Sequence, residues 1–245
     1  MTNPYKEVTP YDNDENKKGQ VTRMFNKIAP YYDYLNRVLS LGIDIIWRKK
    51  AIKTLVSHQP KTILDIATGT ADLAIEAART LKPDHITGMD ISSEMIRIGD
   101  EKLIKRNLQD IIKLEIGDSE NLRYNDNHFD AVTAAFGVRN FGNLEKGLTE
   151  MHRVLKKGGK LVVLEFSKPK VFPLKQLFNL YFRNILPVIG RIKSKDPKAY
   201  QYLYESVQVF PDYENFTEIL KNIGFHSTEF RPLSFGICTV YLATK

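Results

Sequence analysis

Three aspartates stand where a ligand-binding α/β sheet places its acceptors. Asp65 lies in Ile63-Leu64-Asp65-Ile66-Ala67-Thr68-Gly69-Thr70-Ala71-Asp72-Leu73, an apolar run that ends in a tight turn of small residues and opens straight into a helical pattern. Asp90 ends the next such run, in Gly88-Met89-Asp90-Ile91-Ser92, and Asp118 follows the third, in Gly117-Asp118-Ser119-Glu120. In open parallel sheets ligands bind outside the carboxyl ends of the strands, where the strand order reverses. An acid at the end of the second strand can accept from both hydroxyls of a ribose, each charge-assisted bond contributing ~1.5–3 kcal/mol. Asp118 can accept from the exocyclic amine of an adenine, and Ser119 can present its backbone to the ring. Each acid alone has a structural reading of equal weight, Asp90 as the cap of a helix beginning at Ser92 or Ser93 and Asp118 as a turn anchor. Three acids at successive strand ends, in this order, argue against coincidence.

The turn after the first run narrows the cofactor. A dinucleotide site would carry G-x-G-x-x-G there, its last glycine packing helix against strand; the three positions hold Ala67, Gly69 and Asp72. A pyrophosphate needs an unobstructed helix N-terminus, and the Asp72 carboxylate would repel it. S-adenosylmethionine has no phosphates and carries a sulfonium cation and an amino acid head group, so an acid-tolerant turn suits it. Gly69 can take the unusual dihedrals of the turn, and Thr70 follows it at the cofactor side.

These residues need a scaffold, and the pattern supplies one. Thr62–Ile66, His85–Met89, Ile112–Ile116, Ala131–Ala135 and Lys160–Phe166 read as strands. Helical stripes alternate with them, among them Leu144, Leu148, Met151 and Leu155, with Gly158-Gly159 expected to stop that helix. The alternation implies a mostly parallel sheet covered on both faces. Phe216, Ile219, Leu220 and Ile223 form a last helix ended by Gly224. Strand-like runs follow at Ser227–Phe230 and Ile237–Ala243, and a connection as short as Arg231–Gly236 makes the last strand antiparallel. Residues 1–20 read as a flexible polar arm, 21–58 as an aromatic helical lid and 60–245 as one core with an insertion at about 171–210.

The chain has 245 residues, a formal net charge of +7 and a single cysteine. Its length suits one large α/β domain. The basic excess suits an anionic partner without choosing among nucleic acid, membrane and charged ligand. Cys238 alone excludes an internal disulfide framework and fits a reducing cytoplasm, and it reads as a buried structural residue. The N-terminus lacks the apolar core of a secretory signal, and no run approaches the ~18 apolar residues of a membrane span. The five histidines have no metal-ligand spacing, so no metal is expected.

Over residues 60–245 the chain resembles the class I S-adenosylmethionine-dependent methyltransferases. That resemblance implies a Rossmann-like, doubly wound, seven-stranded sheet in the order 3-2-1-4-5-7-6, with an antiparallel last strand. Members commonly show D/E-x-G-x-G-x-G; here Ala67 and Ala71 replace the outer glycines and the small-residue logic survives. The resemblance makes Asp65, Gly69, Thr70, Asp90, Asp118 and Ser119 the cofactor-binding set. The D/N-P-P-Y/F/W tetrapeptide with which base-methylating enzymes grip a flipped base is missing after the fourth strand, where Ala135-Phe136-Gly137-Val138-Arg139-Asn140-Phe141 stands.

More specific motifs surround that core. They are Met24-Phe25-Asn26-Lys27-Ile28-Ala29-Pro30-Tyr31-Tyr32-Asp33-Tyr34-Leu35-Asn36, then Trp47-Arg48, Phe136-Gly137-Val138-Arg139-Asn140, Arg153-Val154-Leu155-Lys156-Lys157-Gly158-Gly159, Leu164-Glu165-Phe166-Ser167-Lys168-Pro169 and Tyr202-Leu203-Tyr204-Glu205-Ser206-Val207. Together they resemble the demethylmenaquinone/2-methoxy-6-polyprenyl-benzoquinol C-methyltransferase family of quinone biosynthesis, from about Val21 to the end of the chain. The resemblance implies a lipophilic polyprenyl quinol as acceptor, demethylmenaquinol or a polyprenyl-methoxybenzoquinol, and no nucleic acid partner. It makes Arg139, Asn140 and Tyr32 the catalytic residues. A reduced ring is methylated at carbon once its hydroxyl ionises, and cationic or amide groups that stabilise the oxyanion lower the barrier. Arg139 remains protonated and so orients and stabilises rather than acting as a base. Tyr31, Tyr32 and Asp33 belong to the lid over the ring, where any one tyrosine reads equally well as packing.

The apolar, aromatic Val171–Gly190, followed by Arg191, Lys193 and Lys195, is expected either to lie at a bilayer interface or to cover the substrate pocket. The expected location is the cytoplasm, at the inner face of the membrane, with a homo-oligomer left open. The competing reading from another class is an RNA methyltransferase or a silent binding module that uses the basic charge.

Overall fold

The computed structural model describes residues 8–11, 14–180 and 196–245. Seven strands form one sheet: β1 (Thr62–Ile66), β2 (His85–Asp90), β3 (Ile112–Ile116), β4 (Phe129–Ala135), β5 (Leu155–Phe166), β6 (His226–Leu233) and β7 (Cys238–Thr244). Their order is β3-β2-β1-β4-β5-β7-β6. The neighbours from β3 to β5 pair in parallel, while β7 runs antiparallel to both β5 and β6. This is the α/β, Rossmann-like, doubly wound sheet with a reversed last strand. Its order reverses between β1 and β4, which opens the ligand crevice beside the turn after β1.

Period-2 alternation divides the central strands between two cores. Leu64, Ile66, Val132, Ala134, Leu161 and Val163 face one side. There they meet α5 (Leu144–Val154) and the last helix, α8 (Glu214–Ile223), through Leu148, Met151, Phe216 and Leu220. Ile63, Ile86, Ala131, Val162 and Leu164 face the other side, against α2 (Ile43–Lys53) and α3 (Asp72–Leu81). A third cluster joins α1 (Lys17–Leu39) to α4 (Ser93–Lys105), α6 (Leu174–Leu180) and α7 (Pro197–Val209) through Met24, Ile28, Met95, Phe178 and Tyr202. That cluster seats α1 on the other three helices.

Two expectations change. Helix α5 ends at Val154 rather than running to the glycine pair, because Leu155 already turns extended and pairs with Phe129 of β4. Gly158-Gly159 lies inside β5, where the register shifts; the Gly158 N–H donates to the Lys245 carbonyl and Lys245 donates back to Gly159. The pair ties in the chain end instead of capping a helix. The polar arm is also shorter than 20 residues, since α1 starts at Lys17, capped by Asn16, and Tyr11 docks on Gln20 and Asp196. The expected C-terminal glycine of α8 holds, with Gly224 left-handed at φ 117°. Of the apolar segment Val171–Gly190, the part after Leu180 lies outside the described residues, as do Arg191, Lys193 and Lys195.

Candidate active site

The turn after β1 puts Ala67, Gly69 and Ala71 at φ 52°, 56° and 68°. Of the three only Gly69 adopts that left-handed backbone without strain, while all three side chains are small enough to leave room beside it. The nearest atom to a side chain built at Gly69 would be the Tyr32 ring, 3.8 Å from its Cβ. Behind the turn Asp65 is fully buried and accepts from the Thr68 and Thr133 hydroxyls, both at 2.6 Å. Burial pushes its carboxyl up to about 6 against those two bonds. The Thr70 hydroxyl faces the lid, donating to Asp33 at 2.5 Å and accepting from Lys102 at 2.9 Å.

At the end of β2, Asp90 accepts from the Gly69 N–H through one oxygen, at 2.8 Å, and from the Ser92 N–H through the other, at 2.9 Å. Ser92, not Asp90, caps α4, accepting from the Met95 N–H. Asp90 thus bridges two turns, and burial pushes its carboxyl up despite these N–H bonds. After β3, Asp118 accepts from the Glu120 N–H and sits 2.7 Å from the Lys18 ammonium. Burial works against its ionised form, but Lys18 and Glu120 outweigh it and hold the carboxyl below its ordinary range.

Gly69, Asp90, Asp118, Ser119 and Asn140 line one cleft of about 680 Å³, solvent at its mouth included. Its roof is one face of α1, where Lys18, Val21, Phe25 and Tyr32 recur at helical spacing. Asp65 and Thr70 stand instead beside a smaller cavity, with Arg48, Asp72 and again Tyr32. There Asp72 is paired with Lys102, Arg48 and Arg37, at 2.8, 3.5 and 3.5 Å. The acid that reads as repelling phosphate is an anchor for the lid helices.

Arg139 and Asn140 lie on a 3-10 turn, Val138–Asn140, after β4. The Arg139 Nη1 donates to the Phe136 carbonyl at 2.5 Å and pairs with Glu165 Oε1 at 2.7 Å, and the guanidinium stands over the Phe166 ring at 5.5 Å. Arg139 lines a second, largely apolar cleft of about 1280 Å³, solvent at its mouth included, together with Tyr32, Trp47, Phe136 and Phe166. Trp47 meets Phe166 edge-on and donates its indole N–H to Ser234. Tyr32 lines both clefts. Burial pushes its phenol up, against a bond with Asn36 and the nearby Arg139 and Arg48 charges, so it remains a donor at neutral pH.

The acidic and small-residue cleft fits an adenosyl group: it offers acceptors at the ends of β2 and β3, backbone beside Ser119 and an aromatic roof. Arg139 Nε, Asn140 Oδ1 and the Tyr202 hydroxyl are buried without a hydrogen-bond partner among the described residues. Groups left in that state cost ~1–3 kcal/mol each until a ligand or water satisfies them. Sequence reading assigned no role to Lys18, Arg48 or Glu165. Arg48 and Glu165 were visible only as letters in specific motifs, because no local period marks a charge partner distant in the chain.

The ubiE/COQ5 methyltransferase family matches residues 12–245. A Bacteroides fragilis protein named demethylmenaquinone methyltransferase is 48% identical over 245 residues, covering 100% of both chains. The Porphyromonas gingivalis protein of that name is 45% identical over 100% of both. A Geotalea daltonii protein named ubiquinone/menaquinone biosynthesis C-methyltransferase is 44% identical, over 94% of this chain and 98% of its own. Among solved structures, a SAM-dependent methyltransferase from Thermotoga maritima superposes with a TM-score of 0.64 at 21% identity, over 91% of this chain and 99% of its own. At that identity the likeness speaks for the fold. The chain belongs to the ubiE/COQ5 methyltransferase family and is a methyltransferase that draws its methyl group from S-adenosylmethionine.

Proposed function

We propose that the protein methylates a ring carbon of demethylmenaquinol, giving menaquinol. One observation carries the reading: an acid-lined cleft and an aromatic, arginine-bearing cleft share the side chain of Tyr32. When bound, S-adenosylmethionine supplies an electrophilic methyl on a sulfonium. Asp90 and Asp118 would accept from its ribose and adenine, with Gly69 and Ser119 beside them, while Asp65 and Thr70 brace the turn from the neighbouring cavity.

Trp47, Phe136 and Phe166 hold the quinol ring. The Arg139 guanidinium stabilises the oxyanion left when the ring hydroxyl gives its proton to solvent water. The ring carbon then gains the methyl group as the methyl–sulfur bond breaks, and its hydrogen leaves as a proton to water, which reprotonates the ring oxygen and gives the aromatic quinol. Asn140 and Tyr32 orient the ring between the clefts. A naphthoquinol is favoured over a benzoquinol because relatives from Bacteroides fragilis and Porphyromonas gingivalis that match the whole chain carry the demethylmenaquinone name.

The isoprenoid tail leads outward past Leu41 and Leu177, which line the apolar cleft and are 85% and 55% exposed. Lys49, Lys50 and Lys53 are exposed on α2 nearby, and between residues 39 and 56 the one acid, Asp44, is buried. An apolar rim with basic neighbours suits an anionic bilayer at the cytoplasmic face. Among the described residues no helix is long and apolar enough to cross a membrane. Sedimentation with phosphatidylglycerol vesicles, but not with phosphatidylcholine vesicles, is the expected result.

The decisive experiment is transfer of label from S-adenosylmethionine to a short-chain demethylmenaquinone with and without reductant. Label in the ring only after reduction supports the acceptor and the electron-rich carbon. Label entering only a reduced polyprenyl-methoxybenzoquinone moves the acceptor to that class. Methylation of RNA instead of either would overturn the reading.

A further inference from the structure

Glu165 is a fully buried carboxylate with no part in the reaction described above. It is the penultimate residue of β5, at the end of the strand that borders the apolar cleft. Its Oε1 accepts from Arg139 Nη1 at 2.7 Å and from the Phe166 N–H at 2.9 Å. Its Oε2 takes the long 3.4 Å bond from the backbone N–H of Arg139. One carboxylate therefore grips the arginine at both ends, main chain and guanidinium, while the Phe136 carbonyl holds the same Nη1.

Burying a carboxylate is costly, and a buried pair is often no more stabilising than apolar residues of the same volume. What such a pair does supply is direction. A long arginine loses its choice of rotamers when its terminal nitrogen and backbone are held by Glu165 on β5 and Phe136 just past β4, and charge stabilisation falls away when a group is misplaced by about 1 Å. Glu165 also sets a negative charge behind the guanidinium, which weakens the field that Arg139 presents to the cleft. Orientation and field strength thus make opposite predictions for removal of the carboxylate charge.

We propose that Glu165 is the positioning residue for Arg139, holding the guanidinium in the single orientation in which it meets the developing quinol oxyanion. This rests on the assignment of Arg139 to that oxyanion. Glu165 lines neither cleft and acts through Arg139 alone. The Phe166 ring beneath the guanidinium and the unspent Arg139 Nε belong to the same arrangement.

The test is a double-mutant cycle in the full chain: Arg139→Gln, Glu165→Gln and both together. It is read as kcat and KM for the reduced quinone, with the S-adenosylmethionine Kd measured by calorimetry. Positioning predicts that Glu165→Gln lowers kcat about 30-fold while KM and the donor Kd move less than about threefold. It also predicts that the double variant is no slower than Arg139→Gln, since the partner is already gone. Unchanged or raised turnover in Glu165→Gln overturns the proposal, as the unmasked charge would then outweigh orientation. Losses that multiply in the double variant overturn it too. Glu165→Gln leaves a buried guanidinium without its counterion and can fold poorly; the double variant, neutral at both positions, then decides. In that event a double variant that folds and turns over as Arg139→Gln does supports the proposal, and a slower one overturns it. Full turnover in Arg139→Gln alone would instead remove the oxyanion assignment, and the role of Glu165 with it.

Discussion

The Lys18 ammonium on the first turn of α1 lies 2.7 Å from Asp118 Oδ2, just after β3, so α1 is tied across the acid-lined cleft. Glu120 adds a second oxygen at 3.0 Å, and Lys17 donates to the Phe141 carbonyl at 2.8 Å. The Lys18 and Asp118 side chains are 31% and 36% exposed, so solvent and salt screen the pair and its stability share is at most about 1 kcal/mol. Its effect belongs to kinetics. Lys18→Ala should leave the thermal midpoint within about 3 °C of the parent. S-adenosylmethionine release, followed by stopped-flow fluorescence, should quicken about three- to tenfold and become less sensitive to salt. An unchanged release rate would mean that α1 opens without breaking this contact.

Asp90 joins the β1 turn to the β2 turn and faces the same cleft. Asp90→Ala should raise the calorimetric Kd for S-adenosylmethionine about 100-fold, the loss expected of two charge-assisted bonds that together contribute about 3 kcal/mol. A Kd within about threefold of the parent, in a protein with unchanged circular dichroism, would remove Asp90 from the ribose.

A side chain built at Gly137 would place its Cβ 2.4 Å from the Ala67 Cβ. The turn that bears Arg139 and Asn140 thus touches the turn of the donor site through two small residues. Gly137→Ala should cost about 1–3 kcal/mol through overpacking and lower turnover sharply. Ala67 sits at φ 52°, a position that glycine accepts without strain. Adding Ala67→Gly to Gly137→Ala should therefore restore both stability and most of the turnover. Urea denaturation and initial rates of the two variants check this, and no rescue by the second substitution would refute it.

Asp65 is raised from 3.8 to about 6, because burial disfavours its charge more than Thr133 and Thr68 favour it. The native protein therefore binds this proton more tightly than the unfolded chain does. The resulting stability is complete below the unfolded value near 3.8 and is lost as pH rises through about 6. Two units correspond to about 3 kcal/mol. Between pH values of about 4 and 7 the parent should lose roughly that amount relative to Asp65→Asn, whose side chain cannot ionise. Paired denaturant titrations at each pH cancel every other titrating group, and parallel curves for the two proteins would contradict the assignment.

The strands were legible because their apolar runs are short, β-branched and bounded by turn residues. β1 and β3 fall on their expected bounds, and β2 and β4 extend theirs by one and two residues. Gly158-Gly159 was misread because a glycine pair after a helical stripe looks like a helix stop. The pairing of Leu155 with Phe129 ends the helix earlier, and that pairing depends on residues 26 positions apart. The acids at the strand ends were legible for a related reason: the carboxyl end of each strand faces one edge of a parallel sheet, so chain order alone gathers Asp90 and Asp118 on one crevice. Which neighbour each acid takes was not legible, as the lid anchors on Asp72 and Asp118 demonstrate.

By itself the amino-acid sequence determined the alternation of strands and helices, the reversed last strand, the small-residue turn and the order of the acids, because each is written in spacings of a few residues. Only the tertiary structure decided that Tyr32 stands between two clefts, that Lys18 reaches Asp118 across 100 positions, and that Glu165 holds Arg139 across 26. Those contacts follow from strand order, register and the seating of α1 on the sheet. A buried charge must find its partner wherever the packed chain brings one, and local periodicity carries no record of that place.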